Sequence, residues 1–321
     1  MKLPAPFIQL PLRFDAAALA DEIHALGEGA WRPHPQGFAG NSMLPLVAVD
    51  GDAANEAFAG VMRPTAALRA CPRLANVLAS LGATVGRTRL MRLAGQAEVK
   101  LHVDQGYYWA ERVRVHVPIV TQPTVRFDCG GQTINMAAGE CWIFDTWRQH
   151  RVVNDATQSR IHLVVDTVGG GRFWDLVDQG RTHDAPREGW QVRDVPLPAM
   201  LPAALECETR NVPEVMGPWE LGKHLRFLLD EALPHPQLEP VRAATERLLR
   251  TWAGLWALHG DAPAARPVYR RLFDEYLAAM RVAGATILLA NETRWIDGVT
   301  MMLSRAAVRT PAQRGAMPAM A

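Results

Sequence analysis

Between residues 87 and 168 the chain reads RTRLMRL (87–93), EVKLHVD (98–104), RVRVHVPIV (112–120), TVRFDC (124–129), QTINMA (132–137), ECWIFD (140–145), HRVVN (150–154) and RIHLVVDTV (160–168). Each run is rich in Val, Ile, Thr or aromatic residues, and turn-forming residues separate them. Several alternate polar and apolar at period two, as half-buried strands do. About eight short strands in some 90 residues predict a sandwich or barrel of antiparallel sheets. The predicted core of that barrel spans 86–175.

On the N-terminal side, Phe7 to Phe14 reads as a strand. Asp15 follows as the N-cap of an Ala/Leu-rich helix over 16–27. A Gly/Pro-broken stretch (WRPHPQGFAGNSMLPLVAVDGD, 31–52) and a second helical pattern near 64–81 come next. On the C-terminal side the texture changes at 184. A Pro-rich segment leads into helical patterns around 219–233, 238–258, 264–283 and 284–307. In the second of these, Leu238, Val241, Leu248, Leu249, Trp252 and Leu255 fall close to one face. The expected organisation is a barrel domain over 1–183, a helical domain over 184–310 and a disordered tail over 311–321. So much apolar surface predicts that the helices cover the outer face of the barrel, with any remaining stripe serving a homodimer.

Composition excludes several classes. The 321 residues carry 34 basic and 33 acidic side chains, a formal charge of +1, which provides no global field for nucleic acid or an anionic membrane. Cys71, Cys129, Cys141 and Cys207 form no CxxC pair, so buried free thiols are expected rather than a disulfide framework or zinc knuckle. No apolar run approaches the roughly 20 residues that span a bilayer. The first residues lack the pattern of a signal peptide, and the expected location is cytoplasmic. No GxSxG is present, and the Gly130-Gly131 and Gly169–Gly171 runs lack the helix that a phosphate loop requires.

The chemistry centres on His102-Val103-Asp104. On a strand, residues i and i+2 share a face, so an imidazole and a carboxylate would project together. His150 opens another strand-like run, HRVVN. Two histidines and one carboxylate form the facial set of non-haem iron(II) oxygenases and leave positions open for a chelating cosubstrate and dioxygen. Arg160 begins RIHLVVD after the short turn NDATQS. A return strand there would bring it beside the strand of His150. Its guanidinium suits the distal carboxylate of 2-oxoglutarate through two parallel charge-assisted hydrogen bonds. His162 shares a face with Arg160 and borders the pocket or fills the core. Tyr107, Trp109, Arg112 and Asn41 are the remaining candidates for a substrate pocket.

These residues carry a family resemblance. HVD…RVHVPIVTQPTVRFDCGG…MAAGECWIFDTWRQHRVVND…SRIHLVVDT resembles the aspartyl/asparaginyl β-hydroxylase family, including bacterial proline hydroxylases. The markers are the R-x-H-x-P strand, the GE-x-W-x-F-D segment and the closing R-I-H-L-x-x-D. The animal aspartyl hydroxylase lacks the carboxylate ligand, whereas this chain has Asp104 and so resembles the HxD-containing bacterial branch. The chain's C-terminal helical segment is similar to that of bacterial proline 3-hydroxylase, which also appends helices. The resemblance implies a mainly β core folded as a double-stranded β-helix (a cupin-like jelly roll), with helices before and after it. It also implies iron(II), 2-oxoglutarate and dioxygen, with Arg114 and His116 near the 2-oxoglutarate carboxylates. The expected activity is hydroxylation of an unactivated C–H of an amino acid, free, peptidyl or carrier-bound. Two rivals stand beside it: a cupin-like metalloprotein without 2-oxoglutarate, and a non-catalytic binding module.

Overall fold

A computed structural model describes residues 1–35, 37–185 and 187–309. The expected tail over 311–321 lies outside the described residues. The strands are β1 (Phe7–Arg13), β2 (Arg32–Pro33), β3 (Asn41–Val49), β4 (Met62–Pro64), β5 (Thr84–Leu93), β6 (Ala97–His102), β7 (Val113–Val120), β8 (Val125–Cys129), β9 (Gln132–Ile134), β10 (Glu140–Phe144), β11 (His150–Asn154), β12 (Arg160–Gly169), β13 (Arg181–Thr182) and β14 (Arg193–Asp194). The helices are α1 (Ala16–Ala25), α2 (Ala66–Arg69), α3 (Pro72–Ser80), α4 (Tyr107–Ala110), α5 (Gly171–Asp178), α6 (Pro218–Asp230), α7 (Leu238–His259), α8 (Arg266–Ala283) and α9 (Trp295–Leu303). Asp15 caps α1 as expected, its carboxylate accepting from Ala18 N at 3.0 Å. The second helical pattern breaks in two before Pro72, which opens α3 at its first turn.

Two sheets face each other as a double-stranded β-helix. The larger runs β13-β1-β10-β7-β12-β5-β3-β2, with β14 and β4 attached at its margins, and the smaller runs β6-β11-β8-β9. Between them lies an apolar core of Phe7, Leu93, Trp142 and Phe144 from the large sheet and Val125, Phe127, Ile134 and Val152 from the small one. The barrel therefore reaches beyond 86–175, because β1 pairs with β10 and β3 pairs with β5. The stretch 31–52 is not simply broken: it contains the nine-residue strand β3, almost wholly buried. Pro45 hides it from the sequence. Proline has no N–H to donate, and the β3–β5 register shifts between Pro45 and Val47.

A second correction concerns the turn after His150. Strands β11 and β12 do not form a hairpin: β11 pairs with β6 and β8, β12 with β5 and β7. The connection crosses from the small sheet to the large one. Buried Asn154 pins it, its amide nitrogen donating to the carbonyls of Leu93, Ala94 and Gln158. Gly130 and Gly131, with φ of 56° and 81°, make the tight β8–β9 hairpin turn, which accounts for both glycines.

The chain divides into two compact units. Among the described residues, one comprises 1–104 and 111–211; the other comprises 105–110 together with 212–309. The sequence texture changes at 184, but 184–211 packs within the barrel unit. Cys207 bridges to Val85, and Glu208 pairs with Arg112. In the helical unit α6, α7, α8 and α9 surround Leu225, Leu228, Trp252, Tyr269, Phe273 and Trp295. The fourth helix begins at Trp295, since 284–294 forms turns. No helix among the described residues is long and apolar enough to cross a membrane.

Candidate metal centre

His102 ends β6 and His150 opens β11, directly opposite one another in the small sheet. The register shifts between this pair and the next, Val152 opposite Val99. Val99 and His102 are separated by an odd spacing and would point to opposite faces of a regular strand. The extra residue of the bulge restores the phase, so that Val99 packs on the core while His102 turns inward beside His150. Asp104 lies beyond the end of β6. The expectation that i and i+2 share a strand face therefore does not position it. Its backbone N–H donates to Thr146 O at 3.1 Å, and its Oδ2 accepts from Arg114 at 2.7 Å.

The donor set converges. The rings of His102 and His150 are 4.2 Å apart, and each Nε2 is 4.0 Å from a carboxylate oxygen of Asp104. One ligand atom from each of the three residues fits within 4.8 Å of the others. Tautomers follow from the other side of each ring. His102 Nδ1 is 2.7 Å from Lys100 O and His150 Nδ1 is 2.9 Å from Arg148 O. A carbonyl only accepts, so both protons sit on Nδ1 and both Nε2 lone pairs face Asp104.

Electrostatics favour the ligating forms. Burial lowers His150 to about 4, against a smaller upward pull from Asp104. Burial pushes the Asp104 carboxyl up, but Arg114 first, then His150 and His102, outweigh it and hold it below its usual value. At neutral pH the site therefore presents a neutral His150 and a carboxylate, as a divalent ion requires.

Across the barrel, Arg160 opens β12 opposite Leu93, with its side chain buried. Its Nε and Nη1 have no hydrogen-bond partner, and burial lowers it to about 10. Alternation places His162 on the same face, as expected. His162 Nδ1 lies 3.4 Å from His116 Nδ1, and the Nε2 atoms of both rings are buried without partners. Burial, then the Arg160 charge, keeps both well below the ordinary histidine range. Arg114 takes a different part from the one expected. It bridges Asp104 and Asp166, its Nε donating to Asp166 Oδ1 at 2.8 Å, and so anchors the carboxylate of the candidate centre.

The other pocket candidates separate. Asn41 lines a cavity of about 670 Å3 at the barrel end, beside His34 and Ser159. Arg112 is buried in a two-pronged ion pair with Glu208, at 2.7 and 2.9 Å. Tyr107 and Trp109 are buried in α4, and Tyr107 donates its hydroxyl to Glu220 at 2.6 Å within the helical unit. Sequence reasoning passed over His34, which lines that cavity, and the buried arginines Arg87 and Arg89 of β5. The R-x-R alternation of RTRLMRL was the available signal, since it puts Arg87 and Arg89 on one face of β5.

Residues 52–169 match the family model described as aspartyl/asparaginyl β-hydroxylase. The match contains His102, Asp104, His150, Arg114, His116 and Arg160, and it marks the barrel unit as of the oxygenase/hydroxylase type. No curated protein matches the chain. Among solved structures, an oxidoreductase of the 2OG-Fe(II) oxygenase family from Burkholderia pseudomallei is 15% identical, over 52% of this chain and 88% of its own, with a TM-score of 0.38. A prolyl-4-hydroxylase from Pseudomonas putida is 14% identical, over 51% and 92%, with a TM-score of 0.35. A predicted oxalate decarboxylase from Thermotoga maritima is 18% identical, over 26% and 67%, with a TM-score of 0.22. At these identities and scores none of the three carries an argument about chemistry.

Proposed function

We propose that the barrel unit is an iron(II)- and 2-oxoglutarate-dependent dioxygenase that hydroxylates an unactivated C–H of an amino acid or an amino-acid derivative. The observation that carries this reading is the convergence of His102 Nε2, His150 Nε2 and an Asp104 oxygen, with both Nδ1 protons committed to carbonyls. A two-histidine, one-carboxylate set leaves coordination positions open, which is the arrangement of non-haem iron(II) oxygenases.

The residues also fit the cosubstrate. Arg160 is a buried cation with two unpartnered nitrogens, and such a charge is costly until an anion meets it. The distal carboxylate of 2-oxoglutarate would complete it through paired hydrogen bonds. When bound, iron and 2-oxoglutarate together supply the oxidising power for C–H hydroxylation. The chain's own work is to hold and orient. Lys100 O and Arg148 O fix the ligating tautomers, Arg114 fixes Asp104, and the apolar core behind the site excludes water. A cupin-like protein without 2-oxoglutarate would keep the triad but has no need of Arg160.

The test is made under anaerobic conditions. Iron(II) followed by 2-oxoglutarate should produce the visible charge-transfer band of a 2-oxo acid chelated to iron. His102→Ala and His150→Ala should abolish stoichiometric iron binding in a folded chain. Arg160→Leu should keep iron but weaken 2-oxoglutarate by roughly 2–5 kcal/mol, on the order of 30-fold to several thousand-fold. Unchanged 2-oxoglutarate affinity in that variant would favour the cupin-like rival.

A further inference from the structure

His116 on β7 and His162 on β12 meet through the same atom of each ring, Nδ1 to Nδ1 at 3.4 Å. Both side chains are buried, and burial, then the Arg160 charge, keeps both rings neutral at neutral pH. A neutral imidazole carries one proton and one lone pair. Two such rings in contact through Nδ1 must therefore differ: one donates Nδ1–H, and the other accepts on a bare Nδ1. Their Nε2 atoms then differ too, the donor ring keeping a lone pair there and the acceptor ring an N–H. Neither Nε2 has a partner, and both are buried. With Nε and Nη1 of Arg160, four buried nitrogens on two adjacent strands lack hydrogen bonds.

Position decides which ring faces the cosubstrate. Arg160 is the charge that acts most on both, but His116 also lies within the field of Arg114 and His150, whereas His162 feels Arg160 and His116. His116 thus stands between Arg160 and the candidate metal centre. Ring contacts agree: Phe144 meets His116 at 5.2 Å and His150 at 5.0 Å, so one ring separates His116 from a member of the triad. Phe127 and Phe144 both pack edge-to-face on His116, at interplanar angles of 90° and 78°, and hinder its rotation. A carboxylate only accepts hydrogen bonds. A 2-oxo acid reaching from the centre to Arg160 therefore needs an N–H at His116 Nε2, because a lone pair there would repel its oxygens. That proton stays on Nε2 when His116 Nδ1 is the acceptor and His162 Nδ1–H is the donor.

We propose that His162 is a positioning residue for the cosubstrate: its Nδ1–H donates to His116 Nδ1 and keeps the His116 proton on Nε2, where it donates to a carboxylate of 2-oxoglutarate. This rests on the oxygenase reading above and deepens it. The arrangement mirrors that of the triad, where Lys100 O and Arg148 O hold the protons of His102 and His150 on Nδ1 and leave Nε2 as a lone pair for a metal. At His116 the fixing group is a donor rather than a carbonyl. The outcome is reversed, and Nε2 presents a proton to an anion.

The test uses the full chain with isotope-labelled histidine and zinc(II) in place of iron, so that no turnover occurs, and reads the tautomers by long-range proton–nitrogen NMR. Spectra of His116→Asn and His162→Asn assign the two rings. With 2-oxoglutarate bound, His116 should carry its proton on Nε2 and His162 on Nδ1. Calorimetry on the manganese(II)-loaded chain gives the second readout. His162→Leu should weaken 2-oxoglutarate roughly tenfold at unchanged metal affinity. His162→Asn, whose amide nitrogen can take the place of Nδ1, should restore the affinity to within roughly threefold of native. A proton on His116 Nδ1, or the same tautomer in both rings, overturns the proposal with the native chain alone. Native affinity in the Leu variant, or an Asn variant as weak as the Leu one, also overturns it. A native chain that takes up no 2-oxoglutarate, read before any variant is made, would instead sink the oxygenase reading.

Discussion

Arg114 holds Asp104: its Nη1 lies 2.7 Å from Asp104 Oδ2, while its Nε lies 2.8 Å from Asp166 Oδ1. One guanidinium thus fixes the carboxylate of the candidate metal centre and ties it to a buried carboxylate on β12. In the R-x-H strand that the resemblance places near the cosubstrate, the arginine donates to Asp104 and Asp166.

Arg114→Leu leaves two buried carboxylates without their shared cation. Removing one partner of a buried ion pair costs roughly 3–5 kcal/mol. Manganese(II) should restore part of that loss by giving Asp104 a new counter-ion. Thermal denaturation with and without the ion should therefore show a larger metal-induced rise in melting temperature for the variant than for the native chain. An equal rise would mean that Asp104 gains nothing electrostatic from Arg114.

The buried histidines set an acid limit on stability. His150 is lowered from 6.5 to about 4 by burial, and His116 and His162 move in the same direction. The folded state then binds fewer protons than the unfolded one. The stabilisation is present above pH 6.5 and is lost as the pH falls toward 4. For His150 alone the loss by pH 5 is roughly 2 kcal/mol. Chemical denaturation of the metal-free chain should give a lower midpoint at pH 5 than at pH 7.5, and His162→Phe should flatten the dependence. A flat native profile would show that these rings protonate freely in the folded state.

What could be read from the sequence was set by local period. The alternation of RIHLVVD announced β12 and gave Arg160 and His162 a common inward face, which the structure keeps. The triad was legible as residue types, because ligand chemistry limits the choice to a few side chains. The geometry that assembles it was not. The bulge before His102 obeys no local pattern, and neither does the loop seat of Asp104 on Thr146 O. The β11–β12 turn looked like a hairpin because its length allows one. Only Asn154, tied to Leu93 and Ala94 in a sequence-distant strand end, reveals that the chain changes sheets. The cavity was hidden for a similar reason, since Trp31, His34 and Asn41 meet Arg92 and Ser159 only after β3 docks on β5.

Arg112 separates structure from catalysis. Its ion pair with Glu208 is buried on both sides. Glu208→Gln should therefore destabilise the barrel unit by roughly 3–5 kcal/mol, whereas the double replacement Arg112→Met with Glu208→Leu should recover much of that loss. Denaturation midpoints of the three chains decide this. If the folded double variant bound manganese(II) and 2-oxoglutarate normally, Arg112 would be a structural residue. A selective loss of 2-oxoglutarate would return it to the pocket.

The same pair predicts where the chain can be cut. A chain ending at residue 183 loses Glu208, the counter-ion of buried Arg112, and Asn211, whose side chain accepts from Gly60 N and donates to Phe58 O. It also loses the bridge from Cys207 to Val85 at the start of β5, the strand that carries Arg87 and Arg89. A chain ending at residue 211 keeps all three. Both lose α6 to α9, and with them the partners of Tyr107, so the difference between them isolates residues 184–211. The shorter chain should be molten or insoluble, because an uncompensated buried arginine alone costs several kcal/mol against a typical total stability of about 5–15 kcal/mol. The longer chain should be the more soluble and should retain a manganese(II)-dependent rise in melting temperature. Equal behaviour of the two would place the end of the barrel unit at 183 and make the Arg112–Glu208 pair dispensable.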